Sequence, residues 1–378
     1  MRKYASNHKV VSALLLLGVL VVLYRMFAGL GAVSALSDSQ PWGLIKALNI
    51  LGGAALAAGS FVVAALAYVF GMKRFRPVVR PALLMGFIGH TFVLAALLYD
   101  VGRPYNVYRI IFHPNIHSAM LLTFACEAVY TATVVAEVLP EFWVERFGGL
   151  AKFLHAIKGP VVVLSATAAV VYQGTLGTLY LVSPRRISPL WYGPLLPSLF
   201  FTSAVAAGVG MVVIEAYLSG RAGRRPFDAC LMGQLGALMA VFVALYLFMR
   251  LASVAAFGGF AAFLGDGLGP VWFSVEIGAG FALPLALLLF KGLRENPDTL
   301  FAASVLVAGG TLMDRLGVVV VGWSNAAGAA YFPSALEVYA SFFFFLAPVA
   351  LYSYASGALL GRESSSPHPL PLSHRARG

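Results

Sequence analysis

Apolar residues run through this chain in ten continuous stretches, at 10–30, 48–70, 81–99, 116–138, 155–172, 196–218, 228–250, 271–290, 299–322 and 336–358. A helix needs about 20 mostly apolar residues to cross the hydrocarbon core, and only helices or closed barrels satisfy the backbone there. Barrel strands would show segments of about 10 residues with alternating polarity. The stretches here are unbroken and are punctuated by Arg76-Pro77, Arg103-Pro104 and Asn296-Pro297. The pattern predicts an all-α polytopic membrane protein with ten transmembrane helices in one membrane domain, 1–361. The tail 362–378 is rich in Ser, Pro and His and is expected to be disordered.

Composition narrows the class. Of the 378 residues 60% are hydrophobic and 11% charged, with a mean hydropathy of +0.86; a soluble protein would be about 25% charged. Cys126 and Cys230 are the only cysteines and fall in different apolar runs. They cannot build a disulfide framework or a four-cysteine iron–sulfur or zinc site, so any metal centre must rely on histidine or on a partner. The net charge of +11 points to basic loops on one membrane face rather than to nucleic acid.

Ten spans alternate the loops between two faces. One face collects Arg2, Lys3, Lys9, Lys73, Arg74, Arg76, Arg80, Arg146, Lys152, Lys158, Arg221, Arg224, Arg225, Lys291, Arg294, Arg362, Arg375 and Arg377, which is 18 of the 26 basic residues. The other receives six, Lys46, Arg103, Arg109, Arg185, Arg186 and Arg250, while Arg25 and Arg315 fall within spans. The positive-inside rule then places both termini in the cytoplasm. The basic start of the first run and Val33-Ser34-Ala35 also fit a cleaved leader, but Arg25 interrupts the apolar stretch, which favours a retained helix. The outer loops 31–47, 100–115, 173–195 and 323–335 carry little charge and many aromatics and prolines, as expected of a surface that receives another protein.

Ionisable groups inside spans cost about 2.5–3.5 kcal/mol each on insertion scales, so each invites a functional reading with a named partner. They are Arg25, His90, Glu127, Glu137, Glu215, Glu276, Asp314, Arg315 and Glu337. Arg25, Asp100, His117, Glu276, Arg315 and Glu337 gather near the outer face, where a quinone head could find hydrogen-bond donors and proton sources. Ion pairs such as Arg315 with Glu276 or Glu337 are the structural alternative. Glu127, about 16 Å into its helix at 1.5 Å per residue, has no arginine at its level; it suits a proton relay between Glu137 and Glu215 at the inner side and the outer site, or a neutral acid bonded to a neighbouring helix. His90, His117 and His155 lie at three different depths, so a bis-histidyl haem is not expected.

Particular strings carry a resemblance. Leu98-Tyr99-Asp100-Val101-Gly102-Arg103-Pro104 with Asn115-Ile116-His117-Ser118 resembles the third helix and following loop of the polysulfide-reductase-type, NrfD-like quinone-binding membrane subunits. The segments 173–180 and 190–197 are similar to the HybB-type branch that serves nickel–iron hydrogenases, and Asp314-Arg315-Leu316 and Tyr331 to Glu337 match the family's last two helices. The resemblance implies two four-helix bundles with flanking helices, no haem or iron–sulfur cluster in this chain, and menaquinone or ubiquinone as the bound substrate. It further implies an iron–sulfur, ferredoxin-like partner and a catalytic subunit on the periplasmic face. Asp100, His117, Tyr172, Arg315 and Glu337 would form the quinone region, and Glu127, Glu137 and Glu215 a proton path. The chain departs from the hydrogenase branch at Tyr172, at Asp314 and Gly317, and near Leu122, where an early fourth-helix carboxylate is absent and Glu127 lies about a turn deeper. A secondary transporter would also suit ten spans with buried charges, but the matched Gly/Pro breaks of inverted halves are absent at Pro160, Pro284 and Pro348. A structural anchor would leave the span charges dispensable.

Overall fold

The computed structural model describes residues 2–183, 186–323 and 331–360; the predicted tail and Arg185 lie outside them. Among the described residues ten helices are long and apolar enough to cross a membrane: α1 Lys9–Ala28, α2 Ile45–Val69, α3 Lys73–Asp100, α4 Ala119–Phe142, α5 Lys158–Leu181, α6 Leu196–Arg221, α7 Ala229–Ala256, α8 Leu268–Leu289, α9 Pro297–Val321 and α10 Ala335–Leu359. Among the described residues there is no strand, only an isolated antiparallel bridge between Ile187 and Trp323.

Several helices extend beyond their apolar runs. α3 begins before Pro77, which is tolerated because a first-turn N–H has no intrahelical partner, and it continues through Pro81 in its interior. α5 continues to Leu181 because its polar side chains turn back onto backbone: Thr175 Oγ1 donates to the Tyr172 carbonyl at 2.8 Å, Thr178 Oγ1 to Gly174 at 3.1 Å and Gln173 Nε2 to Ala54 at 3.0 Å. Tyr172, expected at the outer end of the span, therefore lies near mid-depth. α7 likewise runs past Arg250, which is a buried helical residue and not a loop one. Polar caps start three helices: Asp228 accepts from the Leu231 N–H, Asn296 from Asp298 and Thr299, and Ser334 from Glu337.

Packing divides the spans into two closed rings of four, α2–α5 and α6–α9, joined where α6 and α9 meet α2. α10 lies against α3 and the outer turns of α2, and α1 lies against α10. Large side chains of α1 such as Leu16, Leu20 and Phe27 stay exposed, as suits a helix that faces lipid on most sides. Widened, π-type turns occur at Ile45–Gly52, Ala65–Val69, Glu276–Ala282 and Gly317–Val321. Such turns often mark functional positions, and two of them begin beside Lys46 and at Glu276.

The two rings touch backbone to backbone where Gly177 of α5 meets Leu196 and Pro197 of α6, and more closely where α2 crosses α6. A Cβ on Gly59 would fall 2.3 Å from the Gly208 carbonyl oxygen, and one on Gly208 2.3 Å from the Gly59 nitrogen. Small residues are what let membrane helices approach this closely. Gly208→Ala is expected to push α2 and α6 apart at a cost of about 1–3 kcal/mol, lowering the thermal midpoint of the purified protein. Gly148→Ala, where a Cβ meets nothing within 4 Å, should leave that midpoint unchanged.

Candidate functional site

Buried polar side chains sort into three groups. The first lies inside α2–α5. His90 on α3 places Nε2 2.9 Å from Thr131 Oγ1 and 3.1 Å from Glu127 Oε1 on α4. Its ring meets Tyr130 edge-on at 4.8 Å, and Tyr130 stacks on Tyr172 at 5.8 Å. The partner missing from the sequence reading of Glu127 is thus a histidine. Glu127, Tyr130, Val134, Glu137 and Glu141 recur at the spacing that lines one face of a helix. The first four of these are buried. From Glu127 to Glu137 the rise is about 15 Å. Glu137 Oε1 and His90 Nδ1 are buried without a hydrogen bond among the described residues. At the basic end Glu141 pairs with Lys158, whose Nζ also lies 2.8 Å from the Tyr68 hydroxyl.

The second group caps the outer end of that ring. Asp100 Oδ2 meets Lys46 Nζ, in the first turn of α2, at 3.0 Å. Arg25 of α1 donates to the Tyr99 carbonyl at 2.6 Å and to the Val101 carbonyl. Glu337 accepts from the Leu44 N–H at 3.1 Å, the Ala35 N–H at 3.3 Å and the Tyr331 hydroxyl. Burial and the adjoining Glu337 carboxylate push the Tyr331 phenol well above its ordinary range, so it stays a neutral donor. These contacts fold the segment before α2 over the bundle, with Trp42 wedged between Tyr180 at 4.4 Å and Trp323 at 4.9 Å. Asn49, one turn inside Lys46, donates to the Ser341 carbonyl at 2.9 Å, while its buried Oδ1 has no partner.

The third group sits in α6–α9. Asp314 binds both Arg250 and Arg315 through different oxygens. The Tyr246 hydroxyl is 3.1 Å from Asp314 Oδ1 and 3.0 Å from Glu276 Oε1, and accepts from Arg250 Nε at 3.2 Å. Trp191 Nε1 donates to Glu276 Oε2 at 2.8 Å. Its indole rests on Gly317, where a Cβ would come within 2.1 Å of the ring nitrogen. Arg315 lies 3.6 Å above the Phe200 ring and donates to the Phe200 carbonyl at 3.0 Å and Ser203 Oγ at 2.9 Å. Two arginines against two carboxylates leave the group neutral when all four are charged.

The outer residues expected to share one pocket are therefore distributed. Arg315 takes its own neighbour Asp314 as partner, not Glu276 or Glu337. Asp100 and Glu337 cap α2–α5 and Tyr172 joins His90. His117 is exposed on the outer loop, where its N–H donates to Asn115 Oδ1 at 3.1 Å. Glu137 shares a helix with Glu127. Glu215 stands apart on α6, bound to Arg225, Ser219 Oγ at 2.7 Å and the Tyr352 hydroxyl at 2.7 Å. Tyr180, buried within electrostatic reach of both Asp100 and Arg315, lies between the two outer groups. Sequence reading missed Lys46, Asn49, Trp191, Tyr246 and Arg250; a polar residue in the first turns of an apolar run was the available signal for the first two. Among the described residues His90 is the one buried histidine, with His113, His117 and His155 exposed, and no group of three or more His, Cys, Asp or Glu side chains could hold a metal.

Comparison with known proteins gives this geometry relatives. The family model described as polysulphide reductase, NrfD, matches residues 32–326. A protein of Nitratidesulfovibrio vulgaris is 31% identical over 92% of each chain. The probable Ni/Fe-hydrogenase 2 b-type cytochrome subunit of Escherichia coli is 28% identical over 90% of this chain and 88% of its own. The menaquinone reductase integral membrane subunit of Nitratidesulfovibrio vulgaris is 24% identical over 80% of this chain and 77% of its own.

Removing one member of a buried charge network leaves its partners uncompensated, at a cost of about 3–5 kcal/mol. Asp314→Ala should therefore lower the thermal midpoint far more than removal of a basic-face carboxylate such as Glu295→Ala, whose contact to Lys291 is exposed.

Proposed function

The chain belongs to the polysulphide reductase NrfD family of integral membrane proteins, and from that premise we propose that it is the quinone-reactive membrane subunit of a respiratory oxidoreductase complex. It exchanges electrons between the quinone pool and an iron–sulfur partner docked on the face opposite the basic loops. One observation carries this reading: a buried polar cap at the outer end of α2–α5 stands over a file of titratable side chains that descends the same ring.

The cap has the chemistry that a quinone head needs. Lys46 and the Tyr331 hydroxyl are donors, Asp100 and Glu337 are proton carriers, and the unpartnered Asn49 Oδ1 can accept from a quinol hydroxyl. His117 stands on the adjoining loop, where an exposed imidazole can pass a proton to solvent. Arg315, paired with Asp314, stands behind the cap on the far side of Tyr180 and Phe200.

Below the cap, Tyr172, His90, Glu127, Tyr130 and Glu137 form a route for protons toward Glu141 and Lys158. Glu215 is a second acidic position at the basic end, on the other ring. If protons taken by the cap come through this file from the basic face, turnover moves charge across the membrane. The basic-face loops lie in the cytoplasm, with both termini on that side, and the subunit resides in the inner membrane beside a catalytic subunit on its outer face. Menaquinone is the quinone most directly suggested, from the relative named for it. Haem has no place in the proposal, although one relative is named a b-type cytochrome subunit, because the described histidines supply no facing pair.

Asp100→Asn keeps the shape of the cap and removes its proton carrier. In the purified complex it is expected to slow quinol-dependent electron transfer at least tenfold, as is Glu127→Gln, the latter together with the proton uptake measured in vesicles. Loss of a general acid or base commonly costs 10²–10⁴-fold, so about tenfold is a lower bound. Wild-type rates in both variants would leave the chain as a membrane anchor and no more.

A further inference from the structure

On the basic side of the molecule α10 stands away from α6. It packs against α1, α3 and the outer turns of α2, and meets α6 and the loop after it through polar pins. The Tyr352 hydroxyl lies 2.7 Å from Glu215 Oε1, and Arg224 reaches Ser356 Oγ at 3.1 Å and Ser353 Oγ at 3.3 Å. Behind these pins is a cavity of about 350 Å3 bounded by α2, α3, α6 and α10. Its walls are almost wholly apolar, with Leu56, Ile88, Phe92, Met211 and Ile214 among them. Leu218 and Val349, which also line it, are exposed, so the hollow opens sideways to hydrocarbon. Along α6 its lining runs from Met211 to Ala222, about 16 Å at helical rise, against about 15 Å for one leaflet's hydrocarbon, and along α2 it continues to Asn49. Water has too few polar partners to fill such a space.

The charged end is one-sided. Of the three arginines in Arg221-Ala222-Gly223-Arg224-Arg225, Arg225 is paired with Glu215 and Arg221 lies over the Tyr217 ring. Arg224 lines the cavity, is exposed, and bonds only to seryl oxygens among the described residues. Its positive charge therefore stands at the mouth of an apolar slot on the basic side.

We propose that this slot binds an anionic phospholipid of the leaflet on the basic face, one acyl chain filling the cavity and the phosphate bound by the Arg224 guanidinium. A planar guanidinium grips phosphate oxygens in pairs, and a zwitterionic headgroup brings its own cation to the same place. The lipid replaces the side-chain packing that α10 and α6 do not make and so holds α10 to the ring. This site is separate from the outer cap proposed for the quinone, although the deep end of the cavity reaches Asn49. A quinone tail is the competing occupant.

The test uses the full-length protein in its complex, extracted from vesicles of phosphatidylcholine with a minor proportion of phosphatidylglycerol, with retained lipid read by native mass spectrometry. Phosphatidylglycerol is expected to be enriched over its share of the vesicle. Arg224→Ala should reduce that enrichment about fivefold, the worth of one basic residue at a charged surface, and Arg224→Lys should keep most of it. Val349→Trp, which blocks the mouth from an exposed position, should remove the bound lipid with Arg224 in place. Retention of the two lipids in their vesicle ratio would overturn the proposal, as would equal enrichment in Arg224→Ala. Displacement of the retained lipid by added long-chain quinone would assign the cavity to the quinone tail and overturn it too.

Discussion

A charge within hydrocarbon must be matched, and most of this protein's interior is arranged around that demand. Arg25, Arg250 and Arg315 are all almost fully buried, and each meets the demand differently. Arg25 binds the carbonyls that α3 leaves open at its end. Arg250 and Arg315 close onto one aspartate, and Phe200 offers its ring face to Arg315. Replacing a buried network by apolar side chains is often neutral for stability, whereas removing one member is not. Such networks are therefore weak evidence of stabilisation and stronger evidence that these helices have one rotation and one register.

Close helix approach makes the matching feasible. Side chains such as Arg315 reach Asp314 and Ser203 together only if α6 and α9 pack tightly, and the Gly59–Gly208 crossing brings α2 against the same α6. Widened turns next to Lys46, at Glu276 and just after Arg315 shift the phase of the helix, so a polar residue points inward where a regular 3.6-residue period would turn it elsewhere. Sequence, local helix distortion and electrostatic pairing are linked at each of these positions.

The ten spans were legible because crossing a bilayer imposes a long apolar run, and all ten runs became helices. The span ends were less so, since threonine and glutamine that hydrogen-bond to backbone read as polar but lie within the helix. That placed Tyr172 at a span end and Arg250 in a loop. Which buried groups would meet was not legible at all. The depth of Arg315 matched Glu276 and Glu337, but the choice of Asp314 depends on helix rotation about axes that one sequence does not specify. Asn49 and Lys46 lay in plain view at the start of an apolar run, and only the packing of α10 and the end of α3 gives them meaning.

The two rings differ in how completely their polar groups are matched, and that difference bears on where chemistry belongs. In α6–α9 two arginines, two carboxylates, a tyrosine and a tryptophan bind one another, with Arg315 Nε as the one buried atom of the set that has no hydrogen bond among the described residues, and moving a proton there would break the set. In α2–α5 the carboxylates stand beside a histidine and tyrosines, and His90 Nδ1, Glu137 Oε1 and Asn49 Oδ1 remain unmatched. A buried polar group left without a partner costs about 1–3 kcal/mol, and a ring that tolerates several in one file has kept sites that a proton or a substrate hydroxyl can occupy in turn. In the proposed function the more fully matched ring holds position, and the ring with more unmatched groups is where they change state.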